Sequence, residues 1–199
     1  MKKGILIIAA ALLALACKED VGTTPGPDAI PDATSPVNVL KCTEISFNRA
    51  DIRIIVDVLS SKFVFHFDPD DVGQNPPGSN YVIPESWSEA EFRGAVSNMY
   101  TNAYSISLTI PTAGVGEPEP NATIYKAENI SIRLLVMVDE VNGYIADSGY
   151  CDFEFGRYDG EEGQQLWRLR KWWDRTSSGG DANPAVKPTS LGKVLSLYH

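Results

Sequence analysis

Apolar and polar positions along the chain change period several times, and each change predicts an element. Ser35 followed by Pro36 supplies a helix cap with proline in the first turn, opening a helix to about Asn48 with Val39, Leu40 and Phe47 on its apolar side. Asp51 caps a second helix in which Ile52, Ile55, Val56 and Leu59 fall at the spacing of one face. From Lys62 to Asp68 the period drops to two, with Phe63, Phe65 and Phe67 alternating against Val64 and His66, so this segment is a strand. Asp68, Pro69, Asp70, Asp71 and Gly73 end it in a turn-rich loop. Ser88 and Glu91 form a capping box flanked by Trp87 and Phe92. That predicts a third helix to about Asn102, with Phe92, Val96 and Met99 in the core.

Beyond Tyr104 the pattern is strand after strand. Ile106, Leu108 and Ile110 alternate with polar residues, and Ile124 to Val138 is long and apolar on both faces near its end, as a doubly covered strand requires. Asn142-Gly143 marks a tight turn. Two further strands follow, near Tyr150–Arg157 and Gln165–Asp174, joined by a turn at Tyr158–Gly163. A pairing of Phe155 with Trp167 and Phe153 with Leu169 would place Glu154 against Arg168 and Asp152 against Arg170 on the other face, as a solvated ladder of charge pairs. After a linker from Ser177 to Pro188, Ser190 caps a short segment with Leu191, Val194, Leu195 and Tyr198 at helical spacing, which either docks back on the domain or meets a partner.

The N-terminal end changes the picture from a plain globular domain to an anchored one. Lys2 and Lys3 precede an unbroken small and apolar run from Gly4 to Ala16, too short for the roughly 20 residues a spanning helix needs and suited to a cleaved secretory signal. The run ends at Cys17. Leu13, Ala14, Leu15, Ala16 and Cys17 resemble the lipobox of bacterial lipoproteins, which implies acylation of Cys17 and removal of residues 1–16. Residues 17–35, rich in Gly, Pro, Asp and Thr, are then a flexible tether. Lys18, Glu19 and Asp20 resemble a signal for the outer face of the outer membrane. The expected location is the cell envelope, with the membrane as partner through the lipid.

With 17 basic against 26 acidic residues the net charge is −9, or −11 once Lys2 and Lys3 are removed. Such a field repels phosphate polyanions, so no nucleic-acid partner is expected. Cys42 and Cys151 either pair in the oxidising compartment or remain as two buried thiols. The acids at Asp68, Asp70 and Asp71 are not a calcium loop, because the twelfth position is Ser79. Two histidines, His66 and His199, exclude a histidine-built zinc site. There is no glycine-rich phosphate cradle, and no cofactor or metal is expected.

Two helices, a Phe-rich strand ending in Asp-Pro, a third helix and a long antiparallel sheet form an order that resembles the nuclear transport factor 2-like superfamily, which includes SnoaL-like cyclases and ketosteroid isomerases. The resemblance is carried by NRADIRIIVDVLSSKFVFHFDP, ISIRLLVMVDEVNGY and WRLRKWWD. It implies an α+β fold over residues 36–176, a curved antiparallel sheet wrapped around three N-terminal helices as a cystatin-like cone, with residues 177–199 a linker and short amphipathic segment. The cone implies an apolar cavity for a small apolar ligand, or an exposed sheet face that pairs with a second protomer. The catalytic base of ketosteroid isomerases matches Asp68-Pro69 here, with His66 as its neighbour for acid–base chemistry. The position the resemblance implies for the oxyanion-hole tyrosine falls at or near Glu44, which has no phenol, so Tyr100, Tyr104 or Tyr125 would have to substitute as ligand-binding groups. A non-catalytic lipid-anchored binding or assembly module is the expected function, and a SnoaL-like isomerase, lyase or cyclase the alternative.

Overall fold

The computed structural model describes residues 29–160, 163–177 and 185–199. The signal segment, Cys17 and the tether up to residue 28 lie outside the described residues.

Three helices pack on one face of a bent sheet, and local chemistry sets their ends. Helix α1 (Pro36–Arg49) begins where the Ser35 side chain accepts from the Asn38 N–H and stops at Ala50, whose φ of +50° turns the chain. Asp51 accepts from the Arg53 N–H and opens α2 (Ile52–Val58). Of the apolar residues in α2 the structure buries Ile54, Ile55 and Val58 and leaves Val56 exposed. Of the expected face, Ile52, Ile55, Val56 and Leu59, Ile55 and Leu59 are buried and Ile52 packs against the core, while Val56 is left out and Ile54 and Val58 join in, because a nearly all-apolar stretch offers more than one face and the tertiary contact picks among them. Strand β1 (Leu59–His66) carries Phe63 and Phe65 inward, with Phe67 following in the same phase. After β2 (Ser86–Ser88), the capping box closes α3 (Glu89–Asn102) with both of its reciprocal bonds. Trp87 and Phe92 meet through Phe65, at 6.1 and 5.5 Å between ring centroids.

The remaining strands are β3 (Ser105–Thr109), β4 (Ile124–Ile130), β5 (Arg133–Met137), β6 (Gly143–Ala146), β7 (Ser148–Asp159), β8 (Gln165–Ser177) and β9 (Val186–Pro188). They form two sheets, β2-β1-β8-β7-β4 and β3-β5-β6-β9. A single long hairpin joins the sheets, because β4 runs on into β5 and β6 into β7. The expected unbroken strand from Ile124 to Val138 is thus bent. Asn129 has a φ of +58° at an irregularity in the β4–β7 ladder, with its N–H bonded to Asp152 Oδ1 at 2.8 Å. Gly149 lies in β7 at φ +93°, where a Cβ would stand 2.3 Å from the Arg175 carbonyl oxygen. These two positions let the hairpin curl across the helices. The α+β architecture is the expected one, with one refinement: β1 runs parallel to β8 and β9 parallel to β6, so the sheets are mixed.

The β7–β8 register differs from the expected one. The turn falls at Gly160–Gln164, so Asp159 pairs Gln165, Phe155 pairs Leu169 and Arg157 pairs Trp167. An irregularity after Glu154 then pairs Glu154 with Lys171 and Phe153 with Trp172. The extra residue on β8 lets Trp167, Leu169 and Trp172 share the inner face in spite of their odd spacing. Core packing outweighs the charge pairs, each worth only about 0–1 kcal/mol when exposed.

Helix α4 (Leu191–Ser196), capped by Ser190, is docked: Leu191, Val194 and Leu195 are fully buried. Cys42 and Cys151 are both free and buried, the Cys42 thiol donating to the Pro31 carbonyl at 3.1 Å. Burial pushes the Cys42 thiol up to about 11 and Cys151 well above its ordinary value, which makes both poor nucleophiles. Protein denatured without reductant should therefore release both thiols to a thiol reagent. Release of neither would show a disulfide.

Candidate functional site

Much of the space between the helices and the sheet, expected to hold a cavity, is filled by aromatic side chains among the described residues, and a hollow of about 380 Å³ remains at one edge, lined by Cys42 of α1, Ile54 and Val58 of α2 and Leu166 of β8. Phe47, Phe65, Phe92, Met99, Phe153, Phe155 and Trp172 are fully buried there. Phe65 and Phe92 stack at 5.5 Å, and Phe153 meets Trp172 at 5.1 Å. Tyr100 seals the α1 side. Its hydroxyl shares a hydrogen bond with Ser46 Oγ at 3.0 Å, its ring meets Phe47 edge-on at 5.5 Å, and burial raises its pKa. Tyr125 is half-buried beside Phe155, and Tyr104 is 62% exposed at the far end of α3. The three tyrosines do not converge. Glu44 accepts from the Ile110 N–H at 3.1 Å and ties α1 to the end of β3.

His66 and Asp68 lie elsewhere. Alternation along β1 turns Phe65 inward and therefore His66 outward, onto the face of the sheet that carries no helix. There it opposes Trp173 of β8, with the rings 5.2 Å apart and 9° from parallel. Burial first, then Lys171 and Arg175, lower the His66 pKa, so the imidazole is neutral at pH 7. Asp68 is held in its own turn: Oδ1 accepts from the Asp70 N–H at 2.9 Å and its carbonyl from the Asp71 N–H at 2.9 Å. No hydrogen bond joins it to His66 among the described residues.

Around Trp173 the outer face concentrates cations on an otherwise acidic chain. Lys126 of β4 and Lys171 of β8 stand 5.8 and 5.4 Å from the centre of the Trp173 ring. Lys126, Arg170 and Lys171 each approach the buried Glu154 carboxylate at 3.8 Å. Arg175 meets Asp152 at 3.5 Å. On one side of Trp173 and Arg175 a groove of about 420 Å³ is lined by His66, Pro69, Val72 and Glu85. On the other a smaller hollow of about 260 Å³ is lined by Lys126, Glu128 and Asp152. Sequence reasoning reached His66 and missed Trp173, Lys126, Lys171 and Arg175 as a group. The alternating bases of WRLRKWWDR were a signal, but β4 joins them only through the fold.

No protein-family profile matches the chain, and no curated protein matches it either. Solved structures do. Kfla4162 of Kribbella flavida is 10% identical with a TM-score of 0.47, covering 81% of this chain and 93% of its own. A protein of Novosphingobium aromaticivorans DSM 12444 provisionally named scytalone dehydratase is 10% identical with a TM-score of 0.48, covering 75% and 87%. A nuclear transport factor 2-like superfamily protein of Salmonella enterica serovar Typhimurium is 10% identical with a TM-score of 0.44, covering 74% and 91%. The fold is similar to these. The likeness is one of chain path, and the side chains that carry chemistry have to be read from this protein alone.

A second polar cluster is buried under α4. Asp174 accepts from the Thr176 N–H at 2.8 Å, the Thr176 hydroxyl at 2.6 Å and the Gly192 N–H at 2.7 Å. Asp71 accepts from the Ser190 hydroxyl and pairs with Lys193 Nζ at 2.8 Å. Thr176 Oγ1 in turn accepts from the Leu191 N–H at 2.7 Å. Asp174, Thr176 and Ser190 are each 1% exposed. Closed to solvent and satisfied internally, this cluster is a latch for the C-terminal segment.

Proposed function

We propose that this protein is a lipid-anchored, extracytoplasmic module of the nuclear transport factor 2-like kind that binds a small ligand without transforming it. The observation that carries the reading is the location of polar and apolar groups: aromatic side chains occupy the interior of the cone, while the His66–Trp173 face keeps an open groove. The acid–base alternative needs Asp68 released from its turn and directed at His66. Association of two protomers through this sheet face would have to desolvate Lys126, Lys171, Arg175 and Asp152, a cost that favours a ligand over a dry dimer.

Anchoring follows from the lipobox at Cys17. Each buried methylene contributes roughly 0.8 kcal/mol, so two or three acyl chains on one cysteine hold a domain firmly to the envelope, and the outer membrane is the proposed site. Mass spectrometry of membrane-fraction protein should show residues 1–16 removed and Cys17 acylated. An intact Met1 or an unmodified Cys17 would overturn the anchor.

A further inference from the structure

We infer that the groove beside Trp173 selects a small monocarboxylate with a flat or cyclic apolar body and a hydrogen-bond donor at its far end; this rests on the binding-module reading above. Three properties of the groove lead there. Its volume, about 420 Å³, falls in the range that encloses a small organic ligand. One wall is apolar, from Pro69, Val72 and the Trp173 ring, and buries a ring system rather than a polar chain.

The two charges are of opposite sign. Arg175 has one ion pair among the described residues, from Nε to Asp152 at 3.5 Å. The two terminal nitrogens of its guanidinium therefore retain the fork geometry that takes a carboxylate with two hydrogen bonds. Lys126 and Lys171 lie on the same face, and with Arg170 they place three cations around the single carboxylate of Glu154, with Glu128 beside Lys126, so cations and carboxylates balance around Trp173 and the direct partner for an anion in the groove is Arg175. Glu85 faces the groove from the segment before β2. A second negative group on the ligand would meet it unfavourably, whereas a hydroxyl or ammonium would donate to it. His66 is neutral and adds no charge to either end. One anionic group, one donor and an apolar body between them satisfy all of these groups.

The test uses the whole mature chain, residues 17–199, with Cys17→Ala to keep it free of detergent. Calorimetric titrations employ 6-hydroxy-2-naphthoate, 2-naphthoate and the neutral 2-naphthol. Wild-type sequence should bind 6-hydroxy-2-naphthoate saturably with one site, and Arg175→Gln should weaken that binding by about 10-fold or more, the ratio expected for a lost charge-assisted pair. Glu85→Gln should narrow the preference for 6-hydroxy-2-naphthoate over 2-naphthoate. Both substitutions are at surface positions, and unchanged melting curves will establish that the variants are folded. Equal affinity for naphthoate and naphthol, or indifference to Arg175→Gln, would overturn the carboxylate class and leave the binding module standing. Failure of all three probes to bind at about 1 mM, some 4 kcal/mol of affinity, would overturn the groove as a binding site altogether.

Discussion

Deleting residues 189–199 should destabilise the whole domain rather than trim it. Leu191, Val194 and Leu195 are fully buried, and burial of each such side chain is worth roughly 1.5–3 kcal/mol. Against a total stability of about 5–15 kcal/mol for a domain, that loss alone removes most of the margin. The polar side adds to it. Without α4 the Gly192 N–H no longer reaches Asp174, and Asp71 loses both Lys193 and Ser190. Packing is close enough that a Cβ on Gly192 would stand 2.6 Å from the Phe67 ring and 3.0 Å from Asp174. Gly192→Ala is therefore the milder version of the same test. The truncated chain should melt at least about 10 °C below the full chain, given about 2–4 °C per kcal/mol at this size. A shift smaller than about 3 °C would show that the helix is an appendage.

Raising the pH from 5 to 8 should weaken the protein through Asp174, with the lowered pKa of His66 acting in the opposite direction over the same range. Burial raises the Asp174 pKa from an ordinary 3.8 to about 7, with the nearby Asp71 adding to the rise and the Thr176 and Gly192 bonds opposing it. Because the folded value lies above the unfolded one, the native state holds this proton more tightly between about pH 4 and 7. The stabilisation is complete below about pH 4 and is lost as pH rises through 7. A shift of this size corresponds to something on the order of 4 kcal/mol. Asp174→Asn removes the titration and keeps the shape, although its amide must turn an N–H toward one of the three donors. The variant should start less stable at pH 5 and show a flatter dependence on pH. Urea midpoints at pH 5, 6.5 and 8 for both proteins measure this. Parallel curves for wild type and variant would mean that Asp174 stays ionised across the range.

The latch was not legible in the sequence. Asp71 sits in a run of turn acids, Asp174 follows two tryptophans, and Ser190 and Lys193 read as the start of a short helix. Nothing local distinguishes a solvated aspartate from one that is 1% exposed. Position in space makes the difference, since α4 must first cross β8 for the carboxylates to gain their donors. The same holds for the two adjacent tryptophans. Trp172 fills the core and Trp173 lies on the outer face, and the β8 irregularity that sets their phase arises from pairing with β7.

What the amino-acid order determined by itself is everything with a short-range cause. Ser35, Asp51, Ser88 and Ser190 cap the helices predicted for them, and the alternation of Phe63, Phe65 and Phe67 sets the strand, because a cap bond or a side-chain period involves neighbours a few residues apart. Only the tertiary structure decided that Val56 is left out of the buried α2 face, where β7 and β8 register, that the two thiols stay apart, and that aromatic side chains take much of the interior while the groove beside Trp173 lies outside. Each of those outcomes is a competition among contacts distant in sequence, settled by how aromatic volume packs between helices and sheet.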